Sequence, residues 1–263
     1  MREYATLMHL LKQRTGLDLA RYRPDQIERR LVGALHRMGL RSAEEFVSRA
    51  RQDPALLADL VDRLTVHVSE FFRNPELFAV LQRRVLPELL ARFRELRVWS
   101  AGCSHGAEAY SVGILLLELN PSGGWSVLGT DIDGRVLRQA EEGFYEESDI
   151  RNVSPPRRAR FFVREQNRWR VSPELRQRVR FRRHDLLSDP FNGPWHLILC
   201  RNVVIYFTEE AKQDLYRRFH QALAPGGYLF VGAAEQIFAA REMGFEPLYP
   251  FFYRKAQGRR SGA

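Results

Sequence analysis

The apolar positions fall in two regimes. After Pro24, Ile27, Leu31, Ala34, Leu35 and Met38 recur at helical spacing, and Gly39 follows as a C-terminal cap. Ser42 with Glu45 three places on forms a capping box before Phe46 and Val47. A further helix is predicted from Pro54 to about Leu64, and Asn74-Pro75 reads as the cap and first turn of another, through Leu77, Leu81 and Leu89. The pattern changes near Leu96. Strands are predicted at Leu96–Ser100, Trp125–Thr130, Trp195–Cys200 and Tyr228–Val231, and helices at Ala107–Leu119, Gly134–Glu142 and Thr208–Leu223. Alternating strand and helix implies an α/β fold with a mostly parallel sheet covered on both faces. Phe161-Phe162-Val163 and Trp169-Arg170-Val171 flank Gln166-Asn167 and suggest a small antiparallel β insert. Phe245 to Lys255 reads as two short strands. The expected organisation is a helical N-terminal domain over 1–73, a linker helix over 74–95, and a Rossmann-like domain over 96–257 with the insert at about 160–182. Residues 258–263 are expected to be a disordered tail.

Composition narrows the class. With 263 residues, 44% hydrophobic and 28% charged, the chain suits a globular protein with a sizeable core. No apolar run approaches the roughly 18 residues of a membrane span, and Met1-Arg2-Glu3-Tyr4 does not open a signal peptide. Two cysteines, Cys103 and Cys200, argue against a disulfide framework or a cysteine zinc site. These features point to the cytoplasm. The formal net charge of +9 attracts anionic partners. The excess is mostly arginine; read as spread along the chain, it chooses no partner.

The strand, glycine turn and helix at 96–119 is where an open α/β sheet binds a nucleotide-like ligand. Gly102-Cys103-Ser104-His105-Gly106 is neither the dinucleotide G-x-G-x-x-G nor a phosphate loop, and taken alone it is equally a tight strand-to-helix turn. The second strand ends in Thr130-Asp131-Ile132-Asp133, where an acid can accept from both ribose hydroxyls. Asp131 is expected to touch ligand and Asp133 to cap the next helix. S-adenosylmethionine has no phosphates. Its site needs acidic or carbonyl groups near the amine and sulfonium, a task for Glu108, and a basic or polar group for the carboxylate, a task for Arg73.

At this point the chain resembles the CheR-type chemoreceptor methyltransferases. The likeness rests on Ser69-Glu70-Phe71-Phe72-Arg73, on Arg97 through Ser111, on Thr130–Asp133 followed by Gly143-Phe144-Tyr145, and most specifically on Cys200-Arg201-Asn202-Val203-Val204-Ile205-Tyr206-Phe207. Leu223 through Phe230, leading to Glu235, completes it. The resemblance implies a class I S-adenosylmethionine-dependent methyltransferase that esterifies receptor glutamates and releases S-adenosylhomocysteine, with no metal. It places His67, Ser69, Arg73, Gly102, Glu108, Asp131, Asp185, Leu186, Arg201 and Asn202 at the cofactor and Tyr206 near the transferring methyl. His67 and Ser69 stand where the family usually has Asn and Thr, Ala107 replaces the first acid of a Gly-Glu-Glu, and Asp185 stands where Asn is common.

Glutamate is already an anionic nucleophile at neutral pH, with an ordinary pKa of about 4.3. Catalysis is therefore expected to be positioning, with Tyr206 lining the methyl site and Arg73 holding charge. Arg23, Arg30 and Arg37 recur every seven residues and are expected to share one helix face, either a dock for an acidic receptor bundle or a solvated surface. The insert is short and lacks a glycine-rich turn, so no receptor tether is expected there. A monomer that neither binds nucleic acid nor inserts into membrane is expected. Two rivals stay in view: a nucleic-acid methyltransferase, disfavoured because Arg201-Asn202-Val203 replaces the Asn-Pro-Pro signature, and a module that binds cofactor without turnover. A nicotinamide dehydrogenase fails on the glycine pattern.

Overall fold

The computed structural model describes residues 2–64 and 69–256. His67 and the expected tail lie outside the described residues. Four helices come first: α1 (Ala5–Thr15), α2 (Pro24–Arg37), α3 (Ala43–Gln52) and α4 (Ala55–Leu64). They bury Leu7, Leu11, Ile27, Leu31, Phe46 and Leu60 in a core of their own. The capping box at α3 forms with a shift: Ser42 Oγ accepts from the Glu45 N–H at 3.2 Å, while the Glu45 carboxylate reaches the N–H of Arg41 at 2.9 Å.

The single helix expected after Asn74 is α5 (Pro75–Val80), one π-helical stretch over Leu81–Val85, and α6 (Leu86–Arg92). Pro87 lies where the π-helical stretch gives way to α6, so its missing N–H falls at the change of hydrogen-bond pattern. Asn74 stands at the N-cap position of α5 without capping it. It is left-handed (φ 60°), and its side chain is engaged by Arg201 instead.

The rest alternates: β1 (Glu95–Ala101), α7 (Ala107–Leu119), β2 (Gly124–Asp131), α8 (Gly134–Glu142), β3 (Phe144–Tyr145), α9 (Pro155–Phe161), β4 (Phe162–Glu165), β5 (Arg168–Val171), α10 (Pro173–Arg178), β6 (Val179–Arg183), β7 (Trp195–Cys200), α11 (Glu209–Ala222), β8 (Leu223–Val231), β9 (Phe245–Tyr249) and β10 (Phe252–Lys255). The main sheet runs β6-β2-β1-β7-β8-β10-β9. Its first five strands are parallel, and β10 and β9 close the edge antiparallel. Successive β1 residues point to opposite faces, so Val98 enters the core under α7 and Trp99 the core under α11. Trp99 donates its indole N–H to Thr130 Oγ1 at 2.8 Å, which satisfies its one polar atom in that core.

The insert is a three-stranded sheet of order β3-β5-β4. Its third strand, Phe144–Tyr145, is too short to leave a pattern. Val179–Arg183, all but its last residue within the stretch expected as the insert, belongs instead to the main sheet, paired in parallel with β2 from Val127 to Asp131. Its alternation of Val179 and Phe181 with exposed arginines is that of an edge strand. Among the described residues, no helix is long and apolar enough to cross a membrane.

Candidate functional site

Strand order reverses between β1 and β7, and a cleft opens at the carboxyl ends of β1, β2 and β7. The first wall is the turn after β1. Gly102 (φ 80°) and Cys103 both donate their N–H to Thr130 O at 2.8 Å, tying the turn to β2. A Cβ on Gly102 would sit 2.5 Å from Val203 Cγ2, so only glycine lets the two loops approach. Ser104 is left-handed as well (φ 51°) and donates its N–H to Asp131 Oδ2 at 2.9 Å. The other oxygen of Asp131 accepts from the N–H of Asp133 at 3.1 Å. Asp133 caps α8 through the Arg135 N–H at 2.7 Å, as expected. Asp131 lines the cleft, oriented by two backbone donors.

Glu108, in the first turn of α7, accepts from Ser100 Oγ at 2.7 Å and pairs with Arg201 Nη1 at 3.3 Å. The Arg201 side chain is 2% exposed, and burial pulls its pKa below the ordinary guanidinium range while Glu108 counters. Its second amino group donates to Arg73 O at 3.0 Å and to Asn74 Oδ1 at 2.8 Å. Arg201 thus fixes Glu108 and the 73–74 corner together. Asp185 uses its carboxylate to hold its own turn, accepting from Leu187 N–H at 2.8 Å and Ser188 Oγ at 3.0 Å.

The segment Asn202–Tyr206 follows β7. Asn202 is left-handed (φ 60°), and Val204–Tyr206 is a 3₁₀ turn. Beneath it Glu235, 4% exposed, accepts four backbone N–H groups: Asn202 at 2.6 Å, Val203 at 2.7 Å, Val204 at 2.9 Å and Gly232 at 2.8 Å. Burial pushes the Glu235 carboxyl above the ordinary range, and these donors oppose that rise. The sequence reading gave Glu235 no role. Its signal is an acid four residues past a largely buried strand and three past Gly232, where a Cβ would lie 2.4 Å from the carboxylate.

The helical units supply the facing wall, which sequence reasoning missed: Leu17, Leu19, Tyr22, Ile27 and Leu64. Tyr22 forms an antiparallel bridge with Phe207, flanked by Arg23 N–H to Tyr206 O at 2.9 Å and Thr208 N–H to Arg21 O at 3.0 Å. Burial, then Asp185 and Asp131, push the Tyr22 hydroxyl well up, so it stays a donor. His184, also unforeseen, lines the base of the cleft, and burial lowers its pKa.

Ser69, Arg73, Gly102, Glu108, Asp131, Asp185, Leu186, Arg201, Asn202 and Tyr206 all line this one cleft. The expectation that Arg23, Arg30 and Arg37 present one outward face requires correction. Arg23 and Arg37 are exposed. Arg30 turns into the cleft, donates to Leu64 O at 2.9 Å and lies over the Tyr206 ring at 4.3 Å from its centroid. Among the described residues, no group of His, Cys, Asp and Glu is arranged to hold a metal ion.

Two family models match the chain: a CheR methyltransferase all-alpha domain over residues 2–65 and a CheR methyltransferase SAM binding domain over residues 67–248. A chemotaxis protein methyltransferase of Listeria monocytogenes is 36% identical over 255 residues, covering 97% of both chains. Chemotaxis protein methyltransferase 1 of Pseudomonas aeruginosa is 36% identical over 239 residues, covering 86% of this chain and 87% of its own. The Salmonella typhimurium protein of the same description is 36% identical over 245 residues, covering 89% of this chain and 83% of its own.

Proposed function

The chain belongs to the CheR methyltransferase family, and we propose that it esterifies glutamate side chains of chemoreceptors with the methyl group of S-adenosylmethionine, acting as a monomer. The observation that carries this reading is the single cleft joining Asp131 and Glu108 to Tyr206, with Gly102 open where a Cβ would collide with Val203. The donor set suits a nucleoside bearing an amino acid and no phosphates. When bound, the cofactor supplies a methyl group already activated by a sulfonium.

We assign the chain's own residues as follows. Asp131, held by the Ser104 and Asp133 amides, keeps lone pairs for ribose hydroxyls. Arg73 and Glu108 serve the charged ends of the methionyl group, and Ser69, Asp185, Leu186 and Asn202 complete the contacts. Arg201 acts by fixing Glu108 and the Arg73 backbone rather than as a free cation. Tyr206 lines the methyl site. The Arg30 guanidinium above it adds positive charge where an acceptor carboxylate enters. No residue of the chain needs to gain or lose a proton: an acceptor glutamate would arrive already anionic, and the bound cofactor would supply an electrophilic methyl with a neutral thioether as its leaving group. The protein aligns oxygen, carbon and sulfur and excludes water. Arg23 and Arg37, exposed at the two ends of α2, lead an acidic helical bundle toward the cleft. Reversing both to Glu lowers methylation at low salt and not at high salt; rates unchanged at low salt refute the docking role.

The test uses cofactor labelled on its methyl group and receptor fragments from the same organism. Alkali releases methanol from carboxyl methyl esters and not from methylated amines. Volatile label that disappears in Arg73→Ala supports the reading. Alkali-stable label shifts the acceptor to an amine or nucleic acid. Cofactor binding without label on any receptor fragment refutes turnover on receptors.

A further inference from the structure

The excess charge is concentrated, contrary to the even spread expected from the sequence. The chain has 41 basic and 32 acidic residues, and the stretch from Arg157 to Arg183 holds 11 arginines against Glu165 and Glu174. The remainder is balanced, 30 against 30, so this one stretch carries the entire +9. It folds into α9, the insert, α10 and the edge strand β6.

Within it, β4 and β5 form a hairpin whose residues Val163 to Arg168 are all exposed. Register places Val163, Arg170 and Phe144 side by side on one face, with Glu165 opposite Arg168. The Arg168 and Arg170 guanidiniums lie 4.6 Å and 4.8 Å from the Phe144 centroid. On the other face Arg164 and Arg158 share the Trp169 ring, at 5.7 Å and 5.2 Å. Glu165 takes up Arg170 at 3.4 Å and Glu147 takes up Arg158 at 2.6 Å. Arg160, Arg164 and Arg168 form no ion pair with a described residue. Val163 adds an aliphatic side chain that is 52% exposed.

We propose that this hairpin, with Arg160 at the adjoining end of α9, is a docking element for an anionic phospholipid surface. Positive charge on both faces of a projecting hairpin is not met by a ligand lying on one face; it is met by a plane of anions approached tip first. Guanidiniums oriented on aromatic rings suit phosphodiester headgroups, which accept two parallel N–H donors. Val163 gives shallow apolar contact at the interface. Nucleic acid fits less well, because the Phe144 and Trp169 faces that would stack bases are occupied by arginine.

The experiment is vesicle sedimentation with the full chain and no cofactor, so it is independent of methyl transfer. Vesicles are phosphatidylcholine alone or phosphatidylcholine with phosphatidylglycerol. Binding is expected only to the anionic vesicles and is lost at high salt. Each exposed arginine is expected to contribute about fivefold to partitioning, so Arg160→Gln, Arg164→Gln and Arg168→Gln together weaken it on the order of 100-fold with thermal unfolding unchanged. Arg23→Gln with Arg37→Gln, at the two ends of α2, leaves it unchanged. No binding to anionic vesicles at low salt, equal binding to neutral ones, or equal loss in the α2 variant overturns the proposal. So does retention of duplex DNA or an acidic receptor fragment through the same arginines without vesicle binding.

Discussion

Replacing Glu235 by Gln tests what holds the Asn202–Tyr206 segment in place. Wild-type Glu235 presents two oxygens, one to the Val203 and Val204 amides and one to the Asn202 and Gly232 amides. The amide variant keeps one acceptor and turns an NH₂ toward the other pair of donors. Each buried N–H left without an acceptor costs roughly 1–3 kcal/mol, so two cost about 2–6 kcal/mol if the segment stays put. For a chain of this size, a loss near 4 kcal/mol lowers the melting temperature by roughly 8–16 °C. Movement of the segment relieves that cost and displaces Asn202 and Tyr206 from the cleft, so affinity for S-adenosylhomocysteine falls by about tenfold, or 1.4 kcal/mol. Differential scanning calorimetry and isothermal titration calorimetry read the two quantities. Glu235→Ala, which leaves all four donors unmet, exceeds the Gln variant in one or both. A Gln variant that melts within about 2 °C of wild type and binds with unchanged affinity refutes the assignment, as does an Ala variant no worse than Gln.

Two further outcomes are expected. Gly102→Ala forces a Cβ within 2.5 Å of Val203 Cγ2 at a φ of 80°, and it weakens cofactor binding in titration. Adding Val203→Ala relieves the contact and not the backbone strain, so affinity recovers in part; wild-type affinity in Gly102→Ala alone contradicts the packing argument. His184 is 5% exposed and its folded pKa lies below 6.5. The unfolded chain therefore takes up the proton first as pH falls through 6.5, and stability drops by up to about 1.4 kcal/mol per pH unit from this residue. His196 and His220 are shifted in the same direction by burial. Urea unfolding at pH 7.5, 6.5 and 5.5 measures the slope, which His184→Phe makes shallower; a flat wild-type profile rules the effect out.

The alternation of β1, α7, β2, α8, β7 and α11 was legible because the buried strands are short apolar runs and glycines punctuate them. The acid after β2 and the turn after β1 were legible for the same reason: their chemistry sits at the ends of readable elements. β6 was not, because an edge strand of alternating arginine offers no apolar run. Asn74 illustrates a second limit. Its position before Pro75 has the form of a cap, yet a buried Arg201 from a distant strand end takes its side chain. Arg30 illustrates a third. Spacing of seven fixes a shared helix face, but the Tyr206 ring and the Leu64 carbonyl decide that one arginine of the three turns inward. The facing wall was invisible for that reason as well: Ile27 reads as ordinary helix core, and Leu17 and Tyr22 belong to no pattern, until a second folded unit meets them.

The two walls of the cleft are fastened by the Tyr22–Phe207 bridge, by Arg21 to Leu187 O at 2.7 Å and to Asp214 at 2.9 Å, and by Arg183 to Thr15 O at 2.9 Å. A nucleoside lodged between them would touch both walls, so loosening these fastenings is expected to weaken its hold. Spent cofactor held by both walls is then expected to leave more slowly the tighter the fastenings, and enzyme still holding it is closed to fresh cofactor. Weakening Arg21 would shorten that wait while slackening the grip on fresh cofactor, so turnover is expected to be fastest at an intermediate tightness.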